Sequence, residues 1–164
     1  MKISFVLNGE KRSLEVNPSE ILLEVLRKRL GLTSPKCGCD RGDCGACTIL
    51  LDGKSVKSCL VLAVEVAGHE ITTLEGLMQN GISPIQEKLL DNNSFQCGYC
   101  APGFIVAAHE LLENNCCPSV EEIREALAGN LCRCTGYTPI IDAIAQVCKC
   151  EHEGKKGGCG CEGR

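Results

Sequence analysis

Residues 36–60 read KCGCDRGDCGACTILLDGKSVKSCL. This stretch holds five of the 15 cysteines in a chain of 164 residues, and four of its positions are glycine. So many thiols on such a pliable backbone indicate either disulfides or metal. The odd number of cysteines fits full pairing poorly, and the first residues lack a secretory signal pattern. We therefore expect a cytoplasmic protein, in a reducing compartment, whose thiols bind metal.

Four of these cysteines follow the spacing C-x4-C-x2-C-x11-C, namely Cys39, Cys44, Cys47 and Cys59. The first three match the plant-type [2Fe–2S] loop, in which a more distant cysteine supplies the fourth thiolate. Gly42 and Gly45 would let backbone N–H groups point at the negatively charged sulfurs. Zinc is the alternative, but zinc sites more often show two C-x2-C pairs. The pattern predicts an iron–sulfur site, with Cys37 outside the ligand set and Cys59 at the end of a strand.

A second group of cysteines lies in the segments QCGYCAPG and GNLCRCTGY, which supply Cys97, Cys100, Cys132 and Cys134. The spacing is C-x2-C, then 31 residues, then C-x-C. Each pair falls where a predicted helix begins or ends, and helix N-termini suit an anionic cluster. Two cysteine pairs could equally form a four-thiolate zinc site. The short C-x-C pair and the nearby first group favour a second [2Fe–2S] cluster.

Hydrophobic periodicity predicts an α+β unit before residue 77. Alternating apolar residues on both sides of NGEK indicate a β-hairpin over residues 2–16. An apolar stripe predicts a helix that begins near Pro18, capped by Asn17 or Ser19, and stops at Gly31. A second hairpin turns at residues 52–53, and a last strand at Ile71 leads into a short helix. We expect the first domain to span residues 1–76.

Beyond residue 76 the periodicity becomes helical. Four segments read as short helices, SPIQEKLLDN, GFIVAAHELLEN, SVEEIREALAG and TPIIDAIAQVCK. Ser119 with Glu122 forms a capping box for the third of them. These helices predict a small helical domain over residues 77–150. Residues 151–164 are rich in Gly, Lys and Glu, which predicts a disordered tail. Four cysteines and one histidine near the end of the chain could bind a soft metal, or they could have no dedicated site. These residues are Cys148, Cys150, His152, Cys159 and Cys161.

Charge and motif content exclude several functions. The formal net charge is −4 and the pI is near 5.4, whereas a nucleic-acid-binding domain usually carries a basic patch. No apolar run approaches the length of a membrane span. The sequence also lacks a dinucleotide fingerprint, a Walker loop and a Ser/His/Asp arrangement. We therefore expect no catalytic residue and no substrate site in this chain.

The cysteine segments, taken in order with TLEG between them, resemble the small iron–sulfur subunit of the molybdenum hydroxylases, the xanthine, carbon monoxide and nicotinate dehydrogenase family. The resemblance covers about residues 2–148. It implies a β-grasp plant-type ferredoxin domain followed by a four-helix domain, each with one [2Fe–2S] cluster. The implied ligands are Cys39, Cys44, Cys47 and Cys59 for the first cluster and Cys97, Cys100, Cys132 and Cys134 for the second.

The resemblance also implies a role and partners. Electrons would leave a molybdopterin centre on a large subunit, cross the helical-domain cluster and then the plant-type cluster, and reach FAD on another subunit. Gln96 and Cys134 would lie against the pterin. The sequence departs from the family pattern at Ala101, at Cys37 and in the tail. A free-standing two-cluster ferredoxin is the alternative, and a zinc-bound interaction module is a weaker one. The substrate, the final electron acceptor and the stoichiometry are not encoded in this chain.

Overall fold

The computed structural model of the protein describes residues 1–147. Within them, five strands form one sheet: β1 (Lys2–Leu7), β2 (Glu10–Glu15), β3 (Thr48–Leu51), β4 (Lys54–Lys57) and β5 (Glu70–Thr72). Their order in space is β2-β1-β5-β3-β4, with β1 and β5 parallel and the other neighbours antiparallel. Asn8 and Asp52 adopt left-handed φ angles of 51° and 48°, each followed by glycine, as tight hairpin turns require. Both predicted hairpins are confirmed.

The first helix is shorter than predicted and begins later. Helix α1 covers Leu22–Glu24 and continues as a π-helix over Val25–Arg29. Pro18 and Ser19 form a turn, in which the Glu20 amide donates to Asn17 O at 3.0 Å. Ile21 is extended, and the Leu22 amide donates to Val61 O at 2.8 Å. Ile21, rather than Asn17 or Ser19, is the N-cap. The predicted start near Pro18 is therefore wrong, since a long-range backbone contact competes with the local capping signal.

The sheet and the first helix enclose one hydrophobic core. Alternation along β1 buries its odd-numbered residues against the helix. This core contains Ile3, Phe5, Leu7, Leu22, Val25, Leu26, Ile49 and Ile71, each at most 6% exposed. Burial of each large side chain contributes about 1.5–3 kcal/mol. The cysteine loop of residues 36–47 thus leads directly into β3 of this core.

The remaining α-helices are α2 (Leu74–Leu77), α3 (Pro84–Asp91), α4 (Ala101–Asn114), α5 (Val120–Leu127) and α6 (Thr138–Ala145), and Ala63–Val66 form a 3-10 helix. Helices α3 to α6 confirm the predicted helical segments. The capping box at α5 is also confirmed, because Ser119 Oγ accepts from the Glu122 amide at 3.2 Å. A second core lies among these helices, formed around Phe104, Ala108, Ile123, Ile140 and Ile144.

Helix α4 joins the two cores, because it packs against β3 and β4 as well as against α3 and α5. Its Glu110 carboxylate accepts a hydrogen bond from the Ser55 amide of β4 at 2.9 Å. The predicted α+β class, with the sheet first and the helices after it, is confirmed. No helix within residues 1–147 is long and apolar enough to cross a membrane. The tail residues 151–164, with Cys148 and Cys150 before them, lie outside the described residues.

Candidate iron–sulfur centres

The first group of thiols surrounds a loop that closes on itself. The Lys36 amide donates to Ala46 O at 2.9 Å and forms the neck of the loop. Gly42 and Gly45 have φ angles of 85° and 71°, which a residue with a Cβ rarely adopts. The four predicted thiols, Cys39, Cys44, Cys47 and Cys59, line one small cavity. Its other lining residues are Leu23, Lys36, Cys37, Gly38 and Asp40.

Cys59 reaches this cavity from a turn rather than from a strand. Strand β4 ends at Lys57, and residues 58–60 form a 3-10 turn. The buried Ser58 hydroxyl donates to Cys47 O at 2.8 Å, which holds the turn beside the loop. The expectation that Cys59 ends the strand is therefore wrong, although its side chain lies next to that of Cys47, and both are at most 6% exposed.

Backbone amides of the loop point at the sulfurs. The Cys44 amide donates to Cys39 Sγ at 3.3 Å. Hydrogen bonds from the Arg41 and Cys44 amides lower the pKa of the Cys39 thiol to about 7. Burial, reinforced by the neighbouring Cys47, raises the pKa of Cys59 to about 12. Four thiols that share a cavity cannot all ionise without a compensating positive charge, so this donor set suits a cationic metal centre.

Cys37 lies at the rim of the first group. Its side chain is exposed and its Sγ donates to Asp40 Oδ1 at 3.0 Å. That hydrogen bond raises the pKa of the Cys37 thiol above its ordinary value. A thiol held protonated by a carboxylate is a poorer metal ligand than the amide-solvated thiol of Cys39.

The second group of thiols assembles at two helix ends. Cys97 and Cys100 precede α4, and Cys100 is the N-cap of that helix. Cys132 and Cys134 lie in the connection from α5 to α6, where Cys134 Sγ is 3.8 Å from Cys97 Sγ. Burial, reinforced by the neighbouring Cys132, raises the pKa of Cys100 to about 12. The structure thus brings together both cysteine pairs that the spacing singled out.

Side chains around the second group fix its loop. Burial raises the pKa of Cys132, but hydrogen bonds outweigh this and lower it, led by the Thr135 hydroxyl at 3.1 Å from Cys132 Sγ. The Tyr137 hydroxyl accepts from the Cys132 amide at 3.0 Å. The Gln96 amide nitrogen donates to Cys134 O at 3.1 Å. Sequence reasoning missed Thr135 and Tyr137, although both belong to the CTGY motif.

The two groups differ in exposure. Cys47 and Cys59 are buried, whereas Cys97 and Cys134 are exposed, as is Gln96. The second group therefore presents an edge to the surface. Among residues 1–147, no three His, Cys, Asp or Glu side chains lie close enough together to hold a single metal ion. Cys116 and Cys117, between α4 and α5, are disulfide-bonded and belong to neither group.

Two family models match the chain. One is described as a 2Fe-2S iron–sulfur cluster binding domain and matches residues 5–80. The other is described as a [2Fe-2S] binding domain and matches residues 73–145. Each match contains one group of four thiols. Both family models describe binding of a [2Fe–2S] cluster. The match of each domain therefore favours iron over the zinc alternative.

Individual relatives agree with these matches. The chain is 47% identical to the nicotine 6-hydroxylase small subunit of Paenarthrobacter nicotinovorans, over 88% of this chain and 87% of that protein. It is also 47% identical to the nicotinate dehydrogenase small FeS subunit of Eubacterium barkeri, over 87% of this chain and 91% of that protein.

A solved structure gives the same result. The structure of quinoline 2-oxidoreductase from Pseudomonas putida 86 superposes with a TM-score of 0.86 and 46% identity, and the match covers 88% of this chain and 90% of that chain. These relatives are subunits of oxidoreductases, and the two that are named as small subunits match over nearly their whole length. The chain belongs to the small iron–sulfur, electron-transfer subunits of the molybdenum hydroxylases.

Proposed function

We propose that the chain carries two [2Fe–2S] clusters and passes electrons between a molybdenum centre and a flavin on larger partner subunits. The proposed ligands are Cys39, Cys44, Cys47 and Cys59 for the first cluster and Cys97, Cys100, Cys132 and Cys134 for the second. We assign them to two domains, residues 1–76 and 77–150, with residues 151–164 as a tail. The proposal rests on one observation: two separate groups of four thiols occupy one folded unit, one group sheltered and one reaching the surface.

The chain's own residues supply the environment of each cluster. A bound [2Fe–2S] cluster accepts and releases single electrons, and the protein tunes its potential through hydrogen bonds to sulfur and through burial. The amides around Cys39 and the hydroxyl of Thr135 at Cys132 would stabilise negative charge on the sulfurs. The buried ligands Cys47 and Cys59 would exclude water from the first cluster. Cys37 would remain a non-ligand.

The direction of transfer in this proposal comes from the family resemblance, and the exposure of the second group is consistent with it. Gln96, Cys97 and Cys134 form the exposed edge of the second group, so a partner's cofactor can approach this cluster closely. We propose that Gln96 and Cys134 contact the molybdopterin of the large subunit. The first cluster would then deliver electrons to an FAD-binding subunit. No nucleic acid and no membrane enters this scheme.

Metal analysis and spectroscopy test the proposal. The complex purified from its native host should contain four iron and four acid-labile sulfide per small subunit, the amounts that two [2Fe–2S] clusters require. The reduced protein should give two distinct EPR signals. Recovery of one cluster, or of zinc at the second group, would refute the two-cluster assignment. Purification of the chain without a molybdopterin subunit would favour a free-standing ferredoxin instead.

We also propose a cytoplasmic location. The nine cysteines described as free thiols include all eight proposed ligands, and a reducing compartment keeps such thiols available for iron. The disulfide bonding of Cys116 and Cys117 is uncommon in that compartment. Fractionation of the host is therefore the direct test, and recovery of the chain outside the cytoplasm would refute the location.

A further inference from the structure

The two groups of thiols are joined by the backbone itself. The Leu131 amide donates to Cys44 O at 2.9 Å. Cys44 belongs to the first group, and Leu131 immediately precedes Cys132 of the second group. One hydrogen bond therefore connects the carbonyl of a thiol residue in the first group to the amide of the residue that precedes a thiol residue in the second group.

A buried side chain secures this connection. Asn130 is 2% exposed, and its Nδ2 donates to Gly45 O at 3.1 Å and to Thr48 Oγ1 at 3.4 Å. The Thr48 hydroxyl also donates to Gly45 O at 2.7 Å. Lys57 Nζ donates to Thr48 Oγ1 at 3.0 Å. A buried amide that lost such partners would carry its full desolvation penalty, so the arrangement resists sliding of one segment over the other.

The backbone segments around Gly45 and Gly103 pack so closely that neither position has room for a Cβ. A Cβ added to Gly45 would lie 2.3 Å from Gly129 O, and one added to Gly103 would lie 2.2 Å from Gly45 O. Both distances are far below van der Waals contact. The segments that follow Cys44, follow Cys100 and precede Cys132 therefore meet at backbone distance. We call the residues Gly45, Thr48, Gly103, Gly129 and Asn130 the junction.

We propose that Asn130 is a positioning residue that fixes the separation of the two iron–sulfur clusters and so sets the rate of electron transfer between them. The inference rests on the proposed two-cluster function. The rate of electron tunnelling falls exponentially with distance, so a small separation of the segments slows transfer although no cluster ligand changes. The Asn130 side chain donates to Gly45 O and Thr48 Oγ1, and neither acceptor is a thiol. Its effect is therefore mediated by geometry.

The test uses Asn130→Ala in the intact complex, with Asn114→Ala as the matched control. Asn114 is exposed, and its side chain donates within its own helix, to Glu110 O. In the doubly reduced protein the magnetic interaction between the clusters falls with the inverse cube of their distance. We expect Asn130→Ala to keep both EPR signals, to weaken their mutual splitting, and to slow reduction of the first cluster after the second.

Hydrogen exchange supplies a readout that does not depend on activity. The Leu131 amide should exchange on the order of ten- to a hundredfold faster in Asn130→Ala, the factor expected when a buried hydrogen-bond arrangement is lost. The control Asn114→Ala should leave this amide unchanged. A second variant, Thr48→Val, removes the hydroxyl that Asn130 and Lys57 share, whereas Thr48→Ser retains it and should restore the wild-type splitting.

The outcomes separate the inference from the proposed function. A wild-type complex with a single cluster would refute the proposed function. A wild-type complex with two interacting clusters, combined with Asn130→Ala and Thr48→Val complexes of unchanged splitting and unchanged transfer rate, would refute the role of Asn130 alone. If Asn130→Ala does not assemble, the comparison of Thr48→Val with Thr48→Ser decides the question by the same measurements.

Discussion

The phenol of Tyr99, in the loop of the second thiol group, donates a hydrogen bond to Cys37 O in the loop of the first, at 2.7 Å. This contact clamps the rim of the first loop from the helical side of the molecule. Tyr99 is 48% exposed, so solvent shares the site and the contact contributes modestly to stability.

Tyr99→Phe removes the hydroxyl that makes this hydrogen bond and keeps the ring. We expect a loss of about 0.5–1.5 kcal/mol in the stability of the loop and faster release of iron from the first cluster to a chelator. The second cluster should release iron at the wild-type rate, which serves as an internal control. Equal release rates from the first cluster in variant and wild type would show that the contact has no role in retaining it.

Cys44→Ser should remove the first cluster and leave the second. A serine oxygen is a harder and more basic ligand than thiolate, and iron–sulfur clusters prefer sulfur. The Cys44 backbone carbonyl accepts from the Leu131 amide, and serine keeps that carbonyl, so the variant should keep its Leu131 contact and the helical core. EPR of the reduced variant should show one signal. Loss of both signals would contradict the division into two domains.

Glu75 makes the protein sensitive to acid. Its half-buried carboxylate accepts hydrogen bonds from the Ser34 amide and hydroxyl and from the Thr73 hydroxyl. Burial raises the pKa of Glu75, but these donors outweigh it, and the net pKa lies below the ordinary value. A lowered pKa in the folded state means that the carboxylate stabilises the fold above the unfolded-state pKa of about 4.3, and that this contribution disappears as pH falls through the folded-state value.

Glu75→Gln should therefore lower the free energy of unfolding at pH 7. The free energy of unfolding of this variant should also decrease less than that of the wild type as the pH falls below about 4.3. Chemical denaturation of the apo-protein across pH measures both effects. Glu24→Gln is the control, because Glu24 is exposed and pairs with Lys28 on the same helical segment. A parallel offset of the Glu75→Gln and wild-type curves at every pH would contradict the assignment.

Gln96→Ala should leave both clusters in place, because an amide is not an iron ligand. The change removes the hydrogen bond to Cys134 O and the proposed pterin contact. We expect slower reduction of the clusters by substrate in the intact complex, or weaker retention of molybdopterin by the large subunit. Stopped-flow reduction and cofactor content are the measurements. Wild-type values for both would refute the placement of Gln96 at the pterin.

Deletion of residues 151–164 should leave both EPR signals and electron transfer intact. The family match ends at residue 145, and the Gly-, Lys- and Glu-rich composition of the tail cannot bury a core. The truncated protein keeps Cys148 and Cys150. Disappearance of either signal would show that a tail residue is a ligand. Unchanged signals combined with loss of bound zinc would assign a separate metal site to the tail.

Local signals predicted much of this fold. The Asn8-Gly9 and Asp52-Gly53 turns mark both hairpins because left-handed backbone is cheap for these residues, and Ser119 with Glu122 marks a helix start. Cysteine spacing likewise indicated which thiols would meet. The start of α1 depends instead on the hydrogen bond from the Leu22 amide to Val61 O, which is distant in sequence. The turn at Cys59 depends on the hydrogen bond from Ser58 to the main-chain oxygen of Cys47.

The junction could not be predicted from the sequence, for the same reason. Asn130 and Gly45 are 85 residues apart, and nothing near Asn130 in the sequence indicates that its side chain turns inward. Read locally, the Gly129-Asn130 pair only ends a helix. Its significance depends on the packing of α4 against the sheet, which brings three backbone segments to one place and which no periodicity encodes.

The two thiol groups differ in solvent exposure, and this difference affects when the small subunit should bind the large one. Cys97 and Cys134 are exposed whereas Cys47 and Cys59 are buried, so a newly made subunit leaves one site open to oxidants and chelators until another surface covers it. Biogenesis should therefore favour early encounter with the large subunit, and subunits made in excess should lose the exposed cluster first. An orphan small subunit aged in air would then carry iron only in its N-terminal half.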